Sequence, residues 1–347
     1  MNGNWYTGKL VNRETIHQST SLPIYQFTNL PDIMELIQRL LTGDRRAIAR
    51  LITIIENDGA EAREALSMLY PHTGQAHIVG VTGAPGTGKS TLVNELAKVY
   101  RQRGRTVGII AVDPTSPFSG GALLGDRIRM RDLSGDPGIF IRSMATRGSL
   151  GGLARATADV IKVLDAAGYQ TIFVETVGAG QAEVDIAKAA HTTIVVEAPG
   201  LGDDIQAIKA GITEIADIFV VNKADREGAD STALALQMIL DLNHLSHLSP
   251  QSPGWRPPIH KTIALHGEGI GAVVEVIEEH AAYLQESGNL QRRERERVEG
   301  ELRSILTQEM ARSFFGRLDD VQFDSLIDRI LRRELDPYSA AALLLEE

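Results

Sequence analysis

The stretch HIVGVTGAPGTGKSTLVNELAKVYRQRG, residues 77–104, runs a short apolar segment, a glycine-rich loop and an amphipathic helical pattern in immediate succession. The apolar segment has strand length, and Gly104 closes the helical pattern. Between them Gly83-Ala84-Pro85-Gly86-Thr87-Gly88-Lys89-Ser90 satisfies GxxxxGK[ST], and Thr91 carries the chain into the helix. Glycines at these positions let backbone N–H groups converge on the α and β phosphates of a nucleotide, and the helix amino terminus adds its dipole. Lys89 is spaced to reach the β and γ phosphates, and Ser90 Oγ to hold magnesium. The competing reading, a glycine-rich turn without a ligand, is disfavoured by the strand and helix that flank the loop.

Outward from this loop, short apolar runs alternate with helical patterns, which predicts βαβ units and a doubly wound, mostly parallel α/β sheet of the P-loop NTPase class. Strands are expected near 77–82, 106–112, 139–143, 171–175, 193–197, 217–222 and 259–264. Before the loop, Ile33, Leu36, Ile37, Leu40 and Leu41 repeat at helical spacing. Asp44 is placed to cap a second helix with Ile48, Leu51, Ile52 and Ile55 on one face, and a third runs to Pro71. After residue 285 the charge density rises in QRRERERVEGELR (291–303). Val298, Leu302, Ile305 and Leu306, then Phe323, Leu326, Ile327, Ile330 and Leu331, predict two or three amphipathic helices, with Pro337 as a stop. The expected organisation is a loose arm over 1–28, a helical extension over 29–75, a nucleotide-binding domain over 76–284 and a helical carboxyl-terminal arm over 285–347.

The strand ADIFVV ends in Asn222-Lys223-Ala224-Asp225, an NKxD pattern. An aspartate there accepts hydrogen bonds from guanine N1–H and the exocyclic amine, a donor pair that adenine lacks, while the Lys223 stem lies along the base and Asn222 ties this loop to the phosphate loop. Four residues alone are weak, but their place about 130 residues after a P-loop favours guanine over adenine. Ala264, after HKTIA, is a candidate backbone donor to the guanine oxygen. Asp113, at the end of VGIIAV, and Glu175, at the end of TIFV, put carboxylates where ligands sit in such sheets, so both are expected near the magnesium. Gly178 is spaced to detect the γ-phosphate through its N–H. Asp126, within GGALLGDRIRM, is a third metal candidate against the reading of a solvated loop aspartate, and Gln181 is not assigned a catalytic role.

Bulk composition is compatible with this picture. Of 347 residues 43% are hydrophobic and 23% charged, ordinary for one large core with additions. A net charge of −10 argues against general affinity for nucleic acid or anionic membranes. Without cysteine there are no disulfides or thiolate sites, which fits a cytoplasmic setting, and no apolar run has spanning length. His244, His247, His260 and His266 read as surface or loop residues.

Together with GDRRAIARLITIIEND (43–58), RGSLGGLA (147–154), LGDDIQAIKAGITEIAD (201–217) and DPYSAAALLL (336–345), these motifs resemble the methylmalonyl-CoA mutase-associated GTPases, the MeaB/ArgK group, from about residue 33 onward. The resemblance implies a SIMIBI-class GTPase in which Lys89 and Ser90 bind phosphate and magnesium. It also implies that Asp113, Asp126 and Glu175 surround the metal and that Asn222, Lys223 and Asp225 bind guanine. Lys89, Glu175 and Asp113 are then the expected catalytic set. It further implies that Asp203, Asp204 and Lys209 form an extra switch loop that touches a partner, an adenosylcobalamin-dependent acyl-CoA mutase whose cofactor loading the GTPase gates, and that carboxyl-terminal arms make a homodimer. Glu197, in VVEAPGLGDD, adds an acidic strand end with no assigned role. Other readings are a kinase linked to arginine and ornithine transport, a nickel-insertion GTPase, which should carry Cys or His clusters, and a GTP-binding scaffold.

Overall fold

Seven of these apolar runs form seven parallel strands in the computed structural model, which describes residues 30–113, 131–133, 135–145, 152–176, 186–200, 214–246 and 254–345. They are β1 (His77–Thr82), β2 (Val107–Asp113), β3 (Ile139–Ala145), β4 (Thr171–Thr176), β5 (Thr192–Glu197), β6 (Ile218–Asn222) and β7 (Ile259–Thr262). Their order is β3-β2-β4-β1-β5-β6-β7, parallel throughout. Parallel neighbours require crossover connections, so helices cover both faces and the strands are apolar on both sides. Every residue of β4, β5 and β6 is accordingly buried. The doubly wound sheet expected from the sequence is present. β7 stops at Thr262 because Ala264–His266 turn as a single 3-10 loop.

Alternation along the strands sorts the core into two layers. On one face Ile78, Ile110, Ile172 and Val174 meet α1 (Leu30–Leu41), α2 (Arg45–Glu56), α3 (Ala60–Leu69) and α5 (Gly152–Ala166). On the other, Val79, Val81, Phe173 and Val196 meet α4 (Lys89–Gln102) and α7 (Ile270–Glu286). Farther along the first face, α6 (Ala229–Ser246) puts Leu236 and Leu240 on Val195, Phe219 and Val221. The helical prelude is thus part of the main core. Asp44 caps α2 as anticipated, accepting from the Arg46 and Ala47 N–H groups, and Ile48, Leu51 and Ile52 are wholly buried.

The carboxyl-terminal region forms α8 (Asn289–Phe315), α9 (Asp320–Leu331) and α10 (Pro337–Leu345). Pro337, expected as a stop, instead opens α10, where its missing N–H leaves no bond unmade. α9 has already ended beyond Leu331, with Arg333 at φ 63°. No side chain of α8 is buried. It meets the rest of the chain through polar groups: Lys162 with Glu301, Arg155 with Gln308 at 2.6 Å and Arg63 with Glu309 at 2.8 Å. Its apolar stripe, Val298, Leu302, Leu306 and Met310, faces outward.

A polar network under the sheet escaped the sequence reading. Thr192 Oγ1 lies 2.9 Å from both His77 Nε2 and His280 Nδ1, and Asp217 accepts two bonds from the Arg293 guanidinium at the root of α8. His191 Nδ1 accepts from the Ile78 N–H, so its Nε2 carries the proton given to Glu294 at 2.7 Å. Burial pushes His77 down to about 3, helped by His191, His280 and Arg105, and His280 down to about 4, with Asp217 opposing and Arg293 assisting. Hydrogen bonds from His191 and Arg297 hold Glu294 at about 2 despite burial. Both histidines therefore have folded values below the unfolded 6.5, and their stabilisation is complete above that pH and lost as pH falls. At pH 5 each would have lost about 2 kcal/mol, and Glu294 adds a further loss below 4.5. Denaturant unfolding should show stability dropping by about 3–4 kcal/mol between pH 7 and 5. A flat profile over that range would contradict the assignment of neutral buried histidines.

Candidate functional site

β1 lies at the middle of the sheet, flanked by β4 and β5, and the loop after it opens at the carboxyl edge where ligands bind in open α/β sheets. Gly83 has φ 135°, and a β-carbon there would overlap the Val196 carbonyl oxygen; Gly88 has φ 94°, and its β-carbon would overlap the Asn222 amide. Only glycine fits either position. Gly88 caps α4 without any side-chain bond, so the first N–H groups of α4 have no cap in competition with a ligand.

Lys89 is 5% exposed, and its Nζ donates to Gly83 O at 2.8 Å and Ala84 O at 3.0 Å. The ammonium is folded back onto the loop that precedes it. On the α4 side of β4, Ser90 Oγ donates to Glu175 Oε1 at 2.5 Å, and Glu175 is buried. A hydroxyl and a carboxylate converging in this way are the hard oxygen donors that magnesium prefers, so the residues fit that ion. Asp113 ends β2, whose register with β4 pairs Val112 with Thr176, so the two acidic strand ends are neighbours along the sheet edge. Asp126, Gly178, Gln181, Asp203, Asp204 and Lys209 lie outside the described residues.

Asn222 is the hub of the base side. Its Nδ2 donates to Thr87 O at 2.8 Å, and its Oδ1 accepts from Thr262 Oγ1 and from the Ala264 N–H, both at 3.1 Å. One buried amide thus locks the phosphate loop, β7 and the following turn into one unit. Lys223 reaches across to Gly86 O at 2.6 Å from a backbone φ of 58°, a strained value for a residue with a β-carbon. Asp225 is exposed next to it. The Ala264 N–H, expected to face the base, is donated to Asn222 Oδ1 in this structure. Leu265, 79% exposed, is the next residue in that turn. Glu197 ends β5 beside Val221 and is buried, still without an assigned chemical role.

Residues 48–318 match the family model described as methylmalonyl Co-A mutase-associated GTPase MeaB. A putative GTPase of Pyrococcus horikoshii is 56% identical over 91% of this chain and 98% of its own length. GTPase ArgK of Escherichia coli is 35% identical over 84% of this chain and 88% of its own. Among solved structures, an LAO/AO transport system kinase superimposes with a TM-score of 0.69 at 27% identity, covering 92% of this chain and 98% of that one.

Proposed function

From this chain's membership of the methylmalonyl-CoA mutase-associated GTPase family, we propose that it hydrolyses GTP to GDP and phosphate with magnesium and acts as a chaperone for an adenosylcobalamin-dependent acyl-CoA mutase, gating cofactor loading and protecting that enzyme from inactivation. The observation that carries the GTP reading is the Asn222 hub, which joins a phosphate loop to an NKxD turn at fixed distance. Backbone N–H groups of the 83–91 loop, in which Pro85 has none to give, bind the phosphates, and the Lys89 ammonium offsets charge on the β and γ groups as water attacks in line. Ser90 and Glu175, with Asp113 and Asp126, would hold magnesium, which supplies further charge neutralisation when bound. Gly178 serves as the γ-phosphate sensor, and Asp203, Asp204 and Lys209 as the partner-facing switch. Asp225 reads guanine N1–H and the amine, and the O6 donor passes from Ala264 to the N–H of Leu265.

Phosphate release from GTP and ATP, with and without a purified acyl-CoA mutase, tests this reading. GTP-selective turnover that the mutase accelerates is the expected result. No response to any such mutase would remove the chaperone role, and equal use of ATP would remove the guanine assignment. The likeness to the LAO/AO transport system kinase keeps a second reading open, transfer of the γ-phosphate to a protein or amino acid, which a phosphorylated acceptor in place of free phosphate would favour.

The uncovered stripe on α8 supports a homodimer built on the carboxyl-terminal arm. Leu302 and Leu306 are about half exposed, and contiguous apolar surface of this kind marks an interaction face. Changing both to Glu places four carboxylates in a symmetric interface. Sedimentation should then show a dimer for the wild type and a monomer for the double variant; a dimer that survives the change would remove α8 from the interface. No helix among the described residues is long and apolar enough to cross a membrane.

A further inference from the structure

The tip of β4 is fastened on both faces. Adjacent strand residues point to opposite sides: Glu175 meets Ser90 on the α4 side, and Thr176 Oγ1 donates to Thr82 Oγ1 at 3.2 Å on the other. Thr82 immediately precedes Gly83. The β1–β4 register runs as far as Val81 with Glu175, so the hydroxyl bond is a tie one step beyond it, at the root of the phosphate loop. Both threonines are buried, at 0% and 1% exposure. Valine has the same shape and suits a buried strand at least as well, and a hydroxyl buried there costs free energy unless it is bonded. A bonded pair returns only about 0.5–1.5 kcal/mol net, so fold stability alone is a poor reason for two hydroxyls at this point.

We propose that Thr176 is a positioning residue of the nucleotide cycle: its bond to Thr82 holds the Glu175 carboxylate in register with Ser90, and so sets how readily the loop accepts magnesium with its nucleotide. This rests on the GTPase reading. The variants are Thr176→Val, Thr176→Ser and the double Thr82→Val/Thr176→Val. Fluorescent GDP binding across a magnesium titration is measured beside GTP turnover. Thr176→Val is expected to raise the magnesium concentration at half-maximal tightening of GDP by about tenfold and to lower kcat by a similar factor, leaving magnesium-free GDP affinity unchanged. Thr176→Ser should behave as the wild type. The double variant removes both polar partners and should regain thermal stability, yet keep the weakened magnesium response. Wild-type magnesium response and kcat in Thr176→Val would overturn the proposal, as would their return in the double variant, which folds even if the single one does not. A wild-type chain that turns over no GTP would overturn the GTPase reading and this proposal with it; wild-type turnover with an unaltered Thr176→Val overturns the proposal alone.

Discussion

Asp225→Asn weakens GTP binding by about 10²–10⁴-fold and gives the site a measurable affinity for xanthosine triphosphate. The magnitude follows from two hydrogen bonds to a charged acceptor, each worth about 1.5–3 kcal/mol. Guanine presents N1–H and an exocyclic amine, and a carboxylate accepts from both. An amide in its place turns a donor toward the amine, so one bond is lost and like groups meet. Xanthine carries a carbonyl where guanine has that amine, and the Asn amide can donate to it, so the same change that rejects one base recruits the other. The side chain is exposed in a turn set by Lys223 at φ 58° and tied to the phosphate loop through Asn222 and Gly86 O, so the substitution leaves the supporting bonds in place. Equilibrium binding of labelled GTP and competition by xanthosine triphosphate measure both effects. Affinity for GTP within threefold of the wild type would mean that Asp225 does not read the base.

What could be read from the chain was what is local in it. A strand, a loop of three glycines and a helix follow one another within residues 77–104, and the Asn222 turn sits at the end of its own apolar run, so each motif announced its own local structure. The parallel sheet was legible for the same reason: strands buried on both faces are apolar without alternation, and seven such runs punctuate the chain. Contacts between distant segments were not legible. His77, His191 and His280 are spread over two hundred residues and meet only because β1, β5 and α7 bring their ends together, and nothing in their neighbours marks them as a cluster. Thr82 and Thr176 likewise read as two ordinary strand residues until the β1–β4 register sets them side by side. Ala264 shows the limit within a motif: the turn is where it was expected, but which of its N–H groups is free depends on Asn222, forty-two residues earlier. The face Val298, Leu302, Ile305 and Leu306 was visible as an apolar helix pattern, and only the fold shows that Val298, Leu302 and Leu306 face outward while polar residues of the helix meet the rest of the chain.

Lys89→Ala should reduce single-turnover GTP hydrolysis by about 10³-fold or more while the chain stays folded. Removing a single neutral donor from a preorganised site costs about 10²–10³ in rate, and Lys89 brings a full charge to the β–γ bridge where negative charge shifts as the bond breaks. It is 5% exposed, so the field it exerts is little screened by water. Its present partners, Gly83 O and Ala84 O, are carbonyls of the loop itself. Truncation leaves both carbonyls without that donor, at a cost to the fold of about 1–3 kcal/mol, which is modest beside the cost to the reaction. Lys89→Arg does not restore the rate: a planar fork with a longer reach cannot occupy a space that holds a single ammonium between two carbonyls 2.8 and 3.0 Å away. Thermal unfolding of each variant separates loss of chemistry from loss of structure. Because Asn222, Thr262 and Asp225 are untouched, the guanine side should still prefer GDP over ADP in Lys89→Ala, with the overall affinity lowered by the missing phosphate contact. Turnover above a tenth of the wild-type rate would show that charge on the transferring phosphate is met elsewhere, and the mechanism built on this lysine would fall.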